Sequence, residues 1–288
     1  MRDRDLVLSL LLLAALCPTA EGQRRIAGFN IIASLDSAPG NITVTADGRT
    51  IMSLHQFYEP QYSVVELNPR NVLVPFPNEA IANTQSQAAL KLDAVLGIRS
   101  DERGIVWMLD NGMRGGSVPK LLAWDPRQNA LYRVIYLPPP ITPADAFVND
   151  LAIDTGRNAI YISDPAGGQN AALIVVDLMT GASRRVLQGH SSVTPEAVDL
   201  IIDGRPLQIK DKAGKLAKPH IGVDPIALDT NNEWVYFGPM HGTSMYRIKA
   251  VDLANPNLTD SELAARVERY GDKPICDGIA IDTASNIY

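Results

Sequence analysis

The stretch from Phe147 to Asp164, FVNDLAIDTGRNAIYISD, reads as two short strands around a tight turn, and its pattern recurs along the chain. Asn149-Asp150 lead into the apolar Leu151-Ala152-Ile153, Asp154-Thr155-Gly156 supply the turn, and Ile160-Tyr161-Ile162 return to Ser163-Asp164. The same grammar runs from Val223-Asp224-Pro225-Ile226-Ala227-Leu228-Asp229 to Trp234-Val235-Tyr236-Phe237, and from Cys276-Asp277-Gly278-Ile279-Ala280-Ile281-Asp282 to Asn286-Ile287-Tyr288. Weaker copies begin at Gly40 and Leu96. Aligned on the residue that opens the first strand, the repeats give a column of Gly40, Leu96, Asn149, Asp224 and Asp277, at intervals of 56, 53, 75 and 53 residues. A unit of a few short strands has two faces to bury and cannot bury both alone, so such a period predicts an all-β fold, the β-propeller, in which neighbouring blades cover one another. The long interval must hold an insertion. The polar, Lys-rich run Gln208 to Lys215 places it between Gly189 and Pro219.

The ends of the chain carry separate signals. Arg2 and Arg4 precede an apolar run from Leu6 to Leu16, with small residues at Ala20 and Gly22. That is the form of a secretory leader over residues 1–22, leaving 23–288 as the propeller domain and predicting a secreted or periplasmic protein. The run is too short for a membrane span, so none is expected once the leader is removed. Past the leader only Cys276 remains, which excludes an internal disulfide and leaves either a free thiol or one whose partner is elsewhere. The repeat that opens at Asp277 stops at Tyr288, so we read about four and a half blades in a chain whose propeller continues. A net charge of −6 with scattered Lys and Arg argues against a nucleic-acid partner. Nothing in the sequence gives a subunit number.

Within the blades, the strands are expected at Met52–Leu54, Ser63–Leu67, Ile105–Asp110, Lys120–Asp125, Leu131–Leu137, Ala172–Asp177 and Ser244–Ile248, among others. Arg184-Arg185, on an outer strand, read as a solvated device against edge pairing. Asn78 to Lys91 reads as a long connection, and Asp260 or Ser261 as the cap of a short helical turn.

The blocks Asn149–Asp154 to Tyr161–Asp164, Leu173–Leu178 with Arg184-Arg185-Val186, Trp107-Met108-Leu109-Asp110-Asn111-Gly112, and Tyr270–Lys273 before Asp277-Gly278 together resemble the Yellow / major royal jelly protein family, over roughly Ile31 to Tyr288. That resemblance implies an exported six-bladed propeller whose central channel binds aromatic biogenic amines in some relatives and is linked to dopachrome conversion in others. Insect members carry cysteines that this chain lacks, which suggests a bacterial-type member. A weaker similarity is to gluconolactonase-type propellers, where the opening column supplies metal ligands. Asn149 and Asp277 match two of them; the place of a required Glu is Gly40, which has no side chain to offer.

Opening positions of inner strands converge at one mouth of a propeller channel, so Asn149, Asp224 and Asp277 are the candidate ligand-binding residues. Their oxygens also suit a divalent cation, Ca²⁺ or Mg²⁺, as cofactor. Each could instead only cap its own strand turn, the role assigned to Asp154, Asp229 and Asp282. Asp110 and Asp164, at the ends of second strands, are candidates to line the channel further out. Phe147 and Phe237 are the aromatic candidates for an amine site. The four histidines, His55, His190, His220 and His241, show no metal spacing, and no Gly-x-Ser-x-Gly elbow marks a serine nucleophile. No catalytic residue is identified. The expected function is binding of a small molecule in the channel, with a metal-dependent lactone hydrolase and a dopachrome-type isomerase as the alternatives.

Overall fold

The computed structural model describes residues 31–113, 116–210 and 214–288. The leader expected at 1–22 lies outside them. Residues 31–36, the described part of the unit Met1–Asp36, have no regular structure; the fold belongs to the unit Ser37–Tyr288.

That unit is a series of four-stranded antiparallel meanders, each pairing its strands in chain order. Blade 1 holds β1 (Pro39–Val44), β2 (Thr50–Leu54), β3 (Val64–Leu67) and β4 (Leu73–Pro75). Blade 2 holds β5 (Val95–Ser100), β6 (Val106–Asp110), β7 (Lys120–Asp125) and β8 (Ala130–Tyr136). Blade 3 holds β9 (Leu151–Asp154), β10 (Ala159–Asp164), β11 (Ala172–Asp177) and β12 (Ser183–Val186). Between blades 3 and 4, where the long interval called for an insertion, two small ribbons pair β13 (Ile201–Ile202) with β14 (Arg205–Pro206) and β15 (Ile209–Lys210) with β16 (Leu216–Ala217). Blade 4 holds β17 (Val223–Leu228), β18 (Trp234–Pro239), β19 (Ser244–Lys249) and β20 (Glu268–Asp272). The repeat at Asp277 forms the start of a further hairpin, closed by the Ile281–Ile287 bridge. The strands β1, β5, β9 and β17 are the inner ones: β1 lies beside β5, β5 beside β9, and β9 beside β17.

Alternation along the strands explains the stacking. In β10, buried along its whole length, Ile160 and Ile162 join Trp107, Leu109 and Leu121 of blade 2, whereas Tyr161 between them joins Val235, Phe237 and Ile248 of blade 4. The same division sends Val106 and Met108 of β6 toward Ile51 and Val64 of blade 1, and Trp107 and Leu109 toward blade 3. A strand covered on both faces therefore reads as a continuous apolar run, and each large side chain so buried contributes roughly 1.5–3 kcal/mol. On the last face, Ile279 packs on Ala227, Tyr236 and Met245.

Local expectations are corrected or refined at three places. Arg184 and Arg185 are not solvated edge residues. Arg184 donates to the carbonyls of Leu253, Asn255 and Leu258, because α2 (Ala250–Ala254) and the link that follows it cover β12. Arg185 pairs with Asp164 and donates to the carbonyls of Ile141 and Asn170. The connection Asn78 to Lys91 contains a helical turn, α1 (Glu79–Ala82), capped by the Asn78 side chain. The helix α3 (Asp260–Ala264) is capped one residue earlier than expected, by Thr259, which closes a capping box with Glu262.

Candidate functional site

Three inner strands slip register at the level where they open: β1 between Pro39 and Asn41, β5 between Val95 and Ile98, and β17 between Val223 and Ile226. A bulge bends its strand and re-aims the side chains it carries. Pro225 sits in the third one, where its missing N–H removes nothing from the ladder. At the same level the inner strands nearly touch. A Cβ on Gly97 would stand 2.6 Å from the Asn149 carbonyl oxygen, and one on Gly40 would stand 2.9 Å from Ser53 Oγ and 3.1 Å from Leu96 Cδ2. A side chain at Gly40 would therefore have to displace the Ser53 hydroxyl and the Leu96 side chain.

Around these openings lies a cavity of about 330 Å³ lined by Asn41, Arg99, Asn149, Asp150, Asp224 and Asp277, among others. A second, of about 290 Å³, shares Asn149, Asp224 and Asp277 with it and continues along His55, Phe57, Phe147 and Met240. Polar groups thus stand at the junction, with aromatic and thioether side chains along the second cavity.

The electrostatics of the junction follow from burial. Asp224 is 3% exposed, accepts from the Asn149 side-chain amide, and has Asp277 as its other close partner. Loss of water, then the like charges of Asp277 and Asp150, hold the Asp224 carboxyl well above the usual carboxylate range. Asp150 is raised too: burial outweighs the Arg99 guanidinium beside it, and Asp277 adds to the rise. Its Oδ1 accepts from Asn41 Nδ2 at 3.0 Å and from the Leu151 N–H at 2.8 Å, and its Oδ2 lies 3.5 Å from Arg99. Asp277 is exposed to the cavity. A cation entering the cavity would offset the like charges that crowd Asp224.

Of the residues expected at the channel, Asn149, Asp224 and Asp277 are brought together and Phe147 stands on the adjoining wall. Asp110 and Asp164 are not with them. Asp110 is fully buried in blade 2, where it accepts from the N–H groups of Asp93, Ala94 and Gly112 and from Lys120 Nζ at 2.7 Å. Asp164 is equally buried, paired with Arg185, and accepts from the N–H groups of Phe147 and Ala166, so it holds the cavity wall without facing the cavity. Phe237 belongs to the core between blades 3 and 4. Asp154, Asp229 and Asp282 do accept from backbone N–H groups at their turns. His55 lines the second cavity, while His241 is buried and accepts the Ile221 N–H.

Asn41, Arg99 and Asp150 belong to the cavity and were not singled out from sequence. Asp150 follows Asn149 directly, and only the pleat decides that both reach the junction. Pro225 inside an apolar strand was the readable sign of a bulge.

A family model described as Major royal jelly protein matches residues 94–288. No curated protein sequence matches the chain. Among solved structures, a gluconolactonase from Xanthomonas campestris aligns over 85% of this chain and 66% of its own, at 12% identity and a TM-score of 0.50. The hydrazine synthase of Kuenenia stuttgartiensis aligns over 89% and 84%, at 12% identity and a TM-score of 0.48. An auxiliary nutrient binding protein from Bacteroides ovatus aligns over 88% and 56%, at 12% identity and a TM-score of 0.48. At 12% identity the likeness to the gluconolactonase speaks for the fold alone. The chain spans 66% of the length of the gluconolactonase it resembles.

Proposed function

The chain belongs to the major royal jelly protein family, whose model covers residues 94–288, and from that premise we propose that it is an exported binding protein for a small organic cation with an aromatic body. The observation that carries this reading is the meeting of two unlike cavities at Asn149, Asp224 and Asp277. An ammonium group is complementary to the buried Asp224 and the exposed Asp277. A ring extending from it would lie along Phe147, Phe57 and Met240, where it gains apolar burial and ring contacts. Export rests on the leader at residues 1–22. Among the described residues no helix is long and apolar enough to cross a membrane.

The hydrolase reading needs a resident divalent ion. Asn149, Asp224 and Asp277 supply three of the six to eight oxygens that Ca²⁺ takes, the rest falling to backbone carbonyls and water. The position at which the gluconolactonase-type site would add a Glu is Gly40, which has no side chain to offer. Among the described residues no group of three or more His, Cys, Asp or Glu is placed to hold a metal.

The test is calorimetric titration of the mature protein with tyramine and dopamine, repeated after chelation and with Asp277→Asn. We expect saturable binding that chelator leaves intact and that Asp277→Asn weakens about tenfold or more, the scale of a lost charge-assisted contact. Lactone hydrolysis that chelator abolishes, with no amine binding, would overturn the proposal.

A further inference from the structure

Arg99 gives the cavity a second charge. It stands near the end of β5 and lines both the polar cavity and another of about 420 Å³. Its bonds are poor: Nε reaches the Leu151 carbonyl at 3.4 Å, and Nη2 reaches Asp150 Oδ2 at 3.5 Å. Two other arginines of this chain are seated more closely. Arg49 grips Glu66 at 2.8 and 2.6 Å, and Arg103 grips Asp101 at 3.2 and 2.8 Å, both in two-pronged contacts. Asp150 meanwhile has its shorter bonds from Asn41 and Leu151. The planar fork of Arg99, 29% exposed in the cavity, is therefore left without the bidentate acceptor that suits it.

The cavity is thus dipolar, with carboxylates at Asp224 and Asp277 and an under-used guanidinium at Arg99. A simple amine satisfies only the first. Building on the binding function argued above, we propose that the ligand is an aromatic α-amino acid, its ammonium group at Asp224 and Asp277, its carboxylate on Arg99 and its ring along Phe147. The compact head of an α-amino acid carries both charges on one carbon. That places them within the polar cavity while the side chain passes the shared junction into the apolar one.

Matched pairs separate this from a site for amines. Titrations of L-tyrosine against tyramine, and of L-DOPA against dopamine, compare ligands that differ only in the carboxylate. The unaltered protein is expected to bind each amino acid at least tenfold tighter than its amine, Arg99→Gln to abolish that preference, and Arg99→Lys to keep part of it through charge without the fork. Melting curves of both variants check that they fold. Amines that bind as tightly as or tighter than the amino acids to the unaltered protein overturn the assignment while leaving the binding function standing. A preference that survives in a folded Arg99→Gln overturns the role of Arg99. Failure of both members of each pair to bind overturns the binding function and this inference with it.

Discussion

Asp110 and Asp224 are both buried aspartates, and their surroundings are opposite. Asp110 closes on three backbone N–H groups and the Lys120 ammonium at 2.7 Å. Asp224 has an amide on one side and another carboxylate on the other. A carboxylate can leave water when opposite charge and donors replace it; where they do not, the protein holds a group that something from outside can satisfy. Burial alone does not distinguish a structural acid from a functional one. The partners do.

The sharpest way to break that contrast is to remove Asp110. Asp110→Ala strands the Lys120 ammonium, 4% exposed on its side chain, and should cost about 3–5 kcal/mol in urea denaturation. The double change Asp110→Ala, Lys120→Met should recover much of it. A loss below about 1 kcal/mol for the single variant would show the pair to be no more than a surface bridge.

Asp224→Asn should go the other way. The raised pKa of Asp224 means that the native state holds this proton more tightly than the unfolded chain does, so its contribution to stability is fully present below the ordinary carboxylate pKa. That contribution is lost as pH rises from there through the raised value. The amide removes this loss. The variant should melt higher at neutral pH, by about 1 kcal/mol of stability, with the advantage vanishing in acid, and it should bind ligand less well. An advantage that is the same at every pH would sink the electrostatic account.

The smallest effect sharpens the comparison as a control away from both acids. Thr259→Ala removes the cap of α3 and should cost about 1 kcal/mol in the same denaturation assay, with ligand binding unchanged.

Much of this architecture could be read from sequence because it is local or repetitive. The turn aspartates Asp154, Asp229 and Asp282 sit where an apolar run stops, and their side chains bond the next few N–H groups. The site was only partly legible. Asn149, Asp224 and Asp277 came from the column of strand openings, whereas Asn41 and Arg99 reach the same cavity from blades where that column holds Gly40 and Leu96. What brings them there is the set of bulges and the near contact at Gly97, which couple residues far apart in the chain. Arg184 and Arg185 were misread for the same reason: their acceptors are carbonyls and a carboxylate as many as 74 residues away, and no local pattern announces them.

The alternation within β10 has a consequence for how this protein tolerates change. Tyr161 and Ile162 are adjacent in sequence yet belong to different blade interfaces, while Ile160 and Ile162, two positions apart, share one. Side-chain packing therefore skips along a strand: alternate positions share an interface and constrain one another, while neighbouring positions act on different interfaces. Each blade can revise its fit to one neighbour while leaving its fit to the other intact, so that drift in one interface is not passed on to the next.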